Sequence, residues 1–269
     1  MKQSSFRYLK MKVSINSAIH IGARHYQEDE ILIDDKGRFL IAAIFDGHGG
    51  HTCSTFLKDN LASAFQKHMP RSHVPVSKRY IEAALQWLHL EWYTQHQNDQ
   101  SGSTLTGILI DQVMPKRVWV FNLGDSQTVI FKDKSIVFAT QNHDLSLSRQ
   151  EEVLRKAPYA YISTEWGQTR LYGHDGALNL SGAYGNTHDL LLKKTLLRDP
   201  EVNSVDVVGN NTIVIGSDGL WDDLSIEDVM HIVSTSNVSI NHSEKILDQV
   251  KRRGRKGDNA AIITLNIFN

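Results

Sequence analysis

Four short segments place an acidic residue beside a glycine at the edge of an apolar run. They read IFDGHGG at 44–50, FNLGDSQ at 121–127, IGSDGLWDD at 215–223 and GDNAAIITL at 257–265. A sheet holds an aspartate at a strand end in a defined place, and glycine lets backbone carbonyls approach closely. Carboxylates gathered in this way repel one another unless a divalent cation lies among them. Together, the segments predict a metal site built from oxygen ligands.

The ligand types indicate which ion such a site would take. The sequence has one cysteine and no HExxH segment, so the candidate ligands are carboxylates and carbonyls. Oxygen donors of this kind favour a hard ion, Mg²⁺ or Mn²⁺ ahead of Ca²⁺, and disfavour zinc. A single Asp-Gly pair is more typical of an ordinary turn. The prediction therefore depends on the joint occurrence of the four segments.

Composition and charge limit the class of protein. The chain has 269 residues, of which 41% are hydrophobic and 22% charged, as in ordinary globular proteins, so we expect one domain over residues 1–269. Its formal net charge of -1 gives no general attraction to nucleic acid or to a membrane. The basic run at 251–256 is interpreted as the solvated end of a helix.

The single cysteine and the N-terminus bear on location. Cys53 cannot form an internal disulfide, which favours a reducing compartment such as the cytoplasm, and we expect it to be a small core residue. The first fifteen residues contain no apolar stretch typical of a signal peptide, and no later stretch is long enough to span a bilayer.

Apolar periodicity predicts both helices and strands. Helical spacing at 56–69 and 80–92 gives each segment one face to bury, and further helices are expected from Ser225 and from Ser243 to Gly254. Eight runs rich in Val, Ile and Phe predict strands. Those within 121–139 are separated by so few residues that we expect antiparallel hairpins, and hence an α+β fold. The segment Pro158–Asn186 has little periodicity and predicts a long surface loop or flap.

The ordered series of motifs resembles the metal-dependent serine/threonine protein phosphatases of the PP2C (PPM) family. The similarity runs over nearly the whole chain and includes GARHYQEDE, FDGHGG, SGSTLTGILI, VFNLGDSQ, LNLSGAYGN, RDPEV, IGSDGLWDDLS and GDNAAIITL. Any one of these segments is weak evidence, whereas their shared order is specific. The resemblance implies a four-layer α-β-β-α sandwich, in which two packed antiparallel sheets are flanked by helices.

The resemblance also implies roles for particular residues. It implies that Asp46 bridges two metal ions with the Gly47 carbonyl as a further ligand, that Glu28 binds the second ion, and that Asp218 and Asp258 bind the first. Asp29 would orient ligands or waters around the ions. Asp125 would join Asp218 at a weaker third metal site.

The implied reaction is hydrolysis of phosphoserine and phosphothreonine by a water that bridges two Mn²⁺ or Mg²⁺ ions, without a covalent intermediate. Arg24 would hold the phosphoryl oxygens through its planar donors, and His48 would protonate the leaving oxygen. The implied partners are phosphorylated proteins, with no role for nucleic acid or membrane. We expect the protein to act as a monomer.

At three motif positions this chain departs from the residues that are usual in the family. Gln127 stands where the family commonly has arginine, and Gly182 and Asn186 replace the arginine and aspartate of an SRAxGD segment. None of the three is among the implied ligands, so they bear on loop packing and turnover rate. The aromatic residues of the divergent flap could contact a phosphopeptide or could pack the flap onto the body: Tyr159, Tyr161, Trp166 and Tyr172.

Two other functions stay open at this point. One is a non-catalytic relative that binds phosphorylated partners, and the other is a hydrolase of small phosphorylated molecules. A non-catalytic relative should have lost metal carboxylates, whereas Glu28, Asp46, Asp218 and Asp258 are all present. The sequence therefore favours the enzyme.

Overall fold

Two antiparallel sheets form the centre of the structure. A computed structural model of the chain describes residues 12–71, 74–113, 117–235, 241–254 and 257–268. With strands numbered in chain order, the first sheet contains, from edge to edge, β1 (Lys12–His20), β16 (Ala260–Phe268), β15 (Asn211–Gly216), β8 (Gln127–Lys132) and β9 (Ser135–Ala139). The second sheet contains β14 (Glu201–Asp206), β7 (Arg117–Leu123), β6 (Leu105–Asp111), β3 (Phe39–Phe45) and β2 (Glu30–Asp34).

Helices cover the outer face of each sheet. The described helices are, in chain order, α1 (Thr52–His68), α2 (Lys78–Gln95), α3 (Leu147–Lys156), α4 (Leu190–Thr195), α5 (Asp218–Trp221), α6 (Ile226–Thr235) and α7 (His242–Arg253). Helices α3 and α4 pack with residues of the segment 158–186. Helices α1 and α2 pack on the second sheet, and α5, α6 and α7 pack on the first. The four-layer α-β-β-α sandwich implied by the resemblance is thereby confirmed. None of the described helices is both long enough and apolar enough to cross a bilayer.

Strand β3 shows why the central strands are apolar on both faces. Ile41, Ala43 and Phe45 pack against the helices, whereas Leu40, Ala42 and Ile44 pack between the two sheets. Because both faces are buried, the strand shows no polar alternation. Burial of each large side chain contributes about 1.5–3 kcal/mol to the free energy of folding.

The predicted helices are confirmed with shifted ends. The buried face of α1 includes Leu57, Leu61 and Phe65, and α6 begins directly after Ser225, whose Oγ accepts a hydrogen bond from the Asp228 N–H at 3.1 Å. Helix α7 ends at Gly254, which adopts the left-handed conformation typical of a C-terminal cap. Cys53 is fully buried, as expected. Of the basic run, 251–253 are exposed at the end of α7, and 255–256 lie outside the described residues, as do residues 1–11 at the N-terminus.

The expected hairpin between β7 and β8 is wrong. Strand β7 pairs with β6 and β14 in the second sheet, whereas β8 pairs with β9 and β15 in the first. The chain crosses from one sheet to the other at Gly124, whose φ of 111° is accessible mainly to glycine. A short connection therefore does not force pairing when each strand has its own neighbours. The β8–β9 hairpin is confirmed.

The segment Pro158–Asn186 is more ordered than the predicted surface loop. It contains a small sheet of β10 (Tyr161–Glu165), β11 (Gln168–Tyr172) and β12 (Ala177–Leu178), followed by β13 (Tyr184–Gly185). Strand β13 pairs with β5 (Gly102–Ser103), which also pairs with β4 (Gly47–His48). Short strands with mixed polarity lack the periodicity that predicts strands in a sequence.

Arg38 joins the second sheet to the connection between α1 and α2. Its guanidinium binds the buried Asp111 carboxylate at 2.5 Å and donates to the carbonyls of Pro70 and Val74. We expect Arg38→Met to lower the free energy of unfolding by about 3–5 kcal/mol, because it leaves a buried carboxylate without its cation. Urea unfolding measures this change.

The matched control is Arg117→Met, which breaks the exposed Arg117–Asp206 pair between β7 and β14 of the same sheet. Its cost should be about 0–1 kcal/mol, because water screens an exposed pair. Equal costs for the two variants would contradict the structural role of Arg38.

Candidate active site

The predicted site residues meet around one cavity at an end of the sandwich. The cavity has a volume of about 310 Å³. Its lining includes the following predicted residues: Arg24, Glu28, Asp46, Gly47, His48, Asp125, Asp218 and Asp258. Asp29 is the exception, because it lies beneath the cavity and is only 2% exposed. The structure therefore brings these residues together, while their chemical roles remain predictions.

Both sheets contribute carboxylates to the cavity. Asp46 follows β3 of the second sheet, and Asp125 lies at the crossover between β7 and β8. Asp218 begins α5 directly after β15 of the first sheet, and Asp258 precedes β16. Each side chain is half-buried and fixed by a strand end. The site thus depends on the two sheets being packed together.

The carboxylates destabilise one another when they are charged. Burial raises the pKa of Asp46 well above its usual range, and the negative charges of Asp218, Asp29 and Asp125 raise it further. Burial and then Asp218 raise the pKa of Asp125 to about 7. Bound cations would offset this repulsion. The donor set, which consists of carboxylate and carbonyl oxygens, fits a hard divalent ion.

The side chains are not arranged as a finished metal site. Among the described residues, no group of three or more His, Cys, Asp or Glu side chains could hold an ion as it stands. Asp258 Oδ2 accepts a hydrogen bond from Arg24 at 2.5 Å, and Glu28 Oε1 accepts one from the Gly50 N–H at 2.6 Å. An ion bound by the full set would therefore compete with Arg24 for Asp258.

Asp29 connects the site to the first sheet from below. Its Oδ2 accepts a hydrogen bond from Ser217 Oγ at 2.8 Å, and the same Oγ accepts one from the Ala261 N–H. Burial raises the pKa of Asp29 to about 7 against the opposing effect of the Ser217 hydrogen bond. This position is compatible with orienting neighbouring groups and does not allow direct contact with the cavity.

The His48 ring is held by Asn186. His48 Nε2 lies 2.9 Å from Asn186 Oδ1, while Asn186 Nδ2 donates to the Gln100 carbonyl, so the amide presents its oxygen to the ring. When the ring is neutral, its hydrogen therefore lies on Nε2, and a second proton would bind Nδ1. Burial lowers the pKa of His48. No sequence pattern indicates that Asn186 contacts His48.

The structure also shows what surrounds Gln127 and Gly182, the other two departures from the family's usual residues. Gln127 donates from Nε2 to the Thr140 carbonyl at 2.8 Å, which fixes the start of β8. At Gly182, an added Cβ would lie 2.9 Å from Leu123 Cδ1, so this position has little room for a side chain. Neither residue lines the cavity.

Sequence reasoning gave no role to several residues of the cavity wall, among them Thr104 and Arg170. Thr104 Oγ1 accepts a hydrogen bond from the Asp46 N–H at 3.2 Å, and the Thr104 N–H donates to the Asp46 carbonyl at 2.9 Å. Thr104 lies within the SGSTLTGILI segment, which could have pointed to it. Arg170, on β11, also lines the cavity, and no motif signalled it.

Comparisons with known proteins identify the family that this chain resembles. The family model described as "Protein phosphatase 2C" matches residues 5–259. Two relatives from Oryza sativa subsp. japonica are named "Probable protein phosphatase 2C 52", 29% identical over 87% of this chain, and "Probable protein phosphatase 2C 59", 28% identical over 96%. The chain spans 45% of the first relative and 76% of the second.

Solved structures share the fold. The serine-threonine phosphatase 2C from Toxoplasma gondii is 21% identical with a TM-score of 0.73, over 97% of this chain and 96% of that one. A C. elegans sex determining protein gives a TM-score of 0.81 at 20% identity, over 96% of this chain and 65% of that one. The catalytic domain of the serine threonine protein phosphatase PstP, solved with two manganese ions, is 17% identical with a TM-score of 0.63, over 96% and 100% of the chains.

Proposed function

The chain belongs to the protein phosphatase 2C family, and from that premise we propose that it removes phosphate from phosphoserine and phosphothreonine in proteins in a metal-dependent reaction. The observation that carries the proposal is the meeting of five carboxylates, from both sheets, around one cavity: Glu28, Asp46, Asp125, Asp218 and Asp258. The manganese ions of the PstP structure support the same choice of ion.

The ligand set would be divided among the carboxylates as the resemblance implies. Asp46 and the Gly47 carbonyl would hold two ions, with Glu28 on one side and Asp218 and Asp258 on the other, and Asp125 would contribute to a weaker third site. When bound, such ions supply hydroxide near neutral pH and offset negative charge on phosphoryl oxygens. Asp29, held by Ser217, would orient the groups above it.

The remaining side chains would act on the substrate. Arg24 is exposed on the cavity side of the β1–β2 connection, and its guanidinium, now paired with Asp258, is free on its other edge to hold phosphoryl oxygens. His48 lies in the cavity wall with Nδ1 available, from which a protonated ring could pass a hydrogen to the leaving oxygen. The glycines around His48 keep the backbone close to the cavity.

Hydrolysis of p-nitrophenyl phosphate with Mn²⁺, and its loss on addition of EDTA, would support the enzyme over a non-catalytic binder. A comparison of phosphopeptides with small phosphorylated metabolites then separates a protein phosphatase from a small-molecule hydrolase. Absence of turnover with all three substrate classes in Mn²⁺ would refute the proposal.

Three further proposals concern the number of domains, the oligomeric state and the location of the protein. We propose that its strands and helices form one phosphatase domain and that it acts as a monomer. We also propose a reducing compartment such as the cytoplasm as its location, because its one cysteine, Cys53, is a buried free thiol. Sedimentation velocity tests the oligomeric state.

The proton-donor role of His48 leads to a prediction about leaving groups. A serine alkoxide needs a proton as it departs, whereas nitrophenolate does not. We expect His48→Ala to lower kcat for a phosphoserine peptide by about 10²-fold or more, and for p-nitrophenyl phosphate by less than about tenfold. His231→Ala, on the exposed surface of α6, is the control. Equal losses on both substrates would count against proton donation.

A further inference from the structure

Arg170 is a cation in the wall of the same cavity. Five described carboxylates and two described arginines, Arg24 and Arg170, line that cavity. Arg24 already binds Asp258 at 2.5 Å. Arg170 is exposed, and within the described part of the chain its Nη2 donates to Gln168 Oε1 at 3.0 Å and forms no ion pair with a carboxylate. Its charge therefore remains available to an anion that enters the cavity.

The hairpin that carries Arg170 packs with α3 and α4 in a buried apolar cluster. The next residue, Leu171, is fully buried and pairs with Leu178 of β12. Side chains alternate along a strand, so Arg170 lies on the face opposite Leu171. Its cross-strand partner on that face is Ser163. The position of Arg170 at the cavity is therefore set by packing.

Asp189 fixes the turn at the end of this hairpin. One of its oxygens accepts hydrogen bonds from the N–H groups of His174 and Asp175, and the other accepts from Leu191 and Leu192 at the start of α4. The β11–β12 turn and α4 are thus joined through one carboxylate. This contact holds the end of β11 next to the start of α4.

The segment 178–186, which also borders the cavity, contributes no cation to it. Gly182 provides no charge, and its surroundings leave little room for a larger residue. The residues of this segment that line the cavity, Leu178, Asn179 and Leu180, are uncharged. Arg170 is therefore the described cation on the hairpin side of the cavity.

We propose that Arg170 is a substrate-binding residue that holds an anionic group of the phosphorylated protein. The inference rests on the proposed function and adds a specificity determinant to it. The anionic group is a phosphoryl oxygen or a carboxylate next to the phosphorylated residue, because both present the paired oxygens that a guanidinium binds. Arg170→Ala should weaken the interaction, and Arg170→Lys should restore part of it because the charge is kept without the planar fork.

The experiment compares three substrates in Mn²⁺: p-nitrophenyl phosphate, a phosphoserine peptide with neutral neighbours, and the same peptide with acidic neighbours. Arg170→Ala should raise KM for at least one of them by about tenfold, the usual effect of losing one charge-assisted hydrogen bond. A rise for all three assigns the phosphoryl group, and a rise for the acidic peptide alone assigns a flanking carboxylate. The matched control is Arg155→Ala, on the exposed surface of α3.

Equilibrium binding keeps the two proposals separate. Fluorescence anisotropy with a labelled peptide that carries a non-hydrolysable phosphonate measures affinity without turnover. If wild-type protein binds the peptide but hydrolyses nothing, the proposed function fails, and the Arg170 inference is still tested by the affinity of the variant. Unchanged KM and unchanged affinity in Arg170→Ala, for every substrate, would overturn the inference.

Discussion

Asp46→Asn should abolish manganese-dependent phosphatase activity and, at the same time, make the metal-free protein more stable. Asp46 is the carboxylate that we propose would hold both ions, so its loss should reduce kcat/KM by at least about 10³-fold, the scale of losing several kcal/mol of transition-state stabilisation. Asparagine has nearly the same shape, and Asp46 accepts a long hydrogen bond of 3.4 Å from the Asp218 N–H. The fold should therefore persist.

The stability change follows from the direction of the pKa shift. Burial and neighbouring carboxylates raise the pKa of Asp46 in the folded protein, so its ionisation opposes folding at pH values above its unfolded pKa of 3.8. Asparagine removes this opposition. At pH 7 without metal we expect Tm to rise by about 2–4 °C, which corresponds to about 1 kcal/mol for a domain of this size.

Thermal unfolding with and without Mn²⁺ completes the test. Wild-type Tm should rise with added Mn²⁺, since an ion that binds the folded state stabilises it by mass action, and the variant should respond less. Asp59→Asn, on the exposed surface of α1, should leave activity and Tm unchanged. Wild-type turnover in Asp46→Asn, or an undiminished Mn²⁺ response, would refute the metal assignment.

Gly102→Ala should reduce activity by about 10²-fold, because it displaces the proposed proton donor. A Cβ at this position would lie 2.2 Å from Asn186 Oδ1 and 2.3 Å from His48 Nε2, far inside van der Waals contact. The backbone cannot easily move away, since Gly102 pairs with both His48 and Gly185. The His48 ring and the Asn186 amide must therefore separate.

The kinetic pattern distinguishes this displacement from general damage. The loss should be larger for a phosphoserine peptide than for p-nitrophenyl phosphate, as for His48→Ala, and the melting temperature should fall by only a few degrees. Asn186→Ala should show the same ordering of substrates, and Asn186→Asp should restore part of the rate because it keeps an acceptor for Nε2. Gly176→Ala, where an added Cβ meets nothing within 4 Å, is the control. A uniform loss on both substrates would point to a role in folding alone.

The sequence predicted the layers and the acidic residues, but it did not predict several contacts between them. Helical periodicity and continuous apolar runs both report burial, which is why the apolar face of α1 and the strand β3 are evident from residue types. The carboxylates were evident because acid-glycine turns at strand ends recur in a fixed order. Periodicity does not say which strand lies next to which, so the hairpin predicted at Gly124 is wrong.

Sequence patterns do not predict contacts between irregular segments. Asn186 reaches His48 from a position 138 residues away through a left-handed backbone conformation, with φ at 52°. Arg170 is positioned by the pairing of Leu171 with Leu178 and by the Asp189 turn. Neither arrangement has a local signature, because each depends on the register of short strands with no apolar alternation.

The origin of the carboxylates in two different sheets would give bound ions a mechanical role. An ion held by Asp46 and Asp218 would cross-link the two halves of the sandwich, much as a disulfide joins distant segments. Partial opening, in which one half with its own helices loosens from the other, would then require release of the ion. Removal of the ion by a chelator should therefore speed amide exchange first where β3 faces β15 and β16. It should also lower the cooperativity of unfolding throughout the molecule.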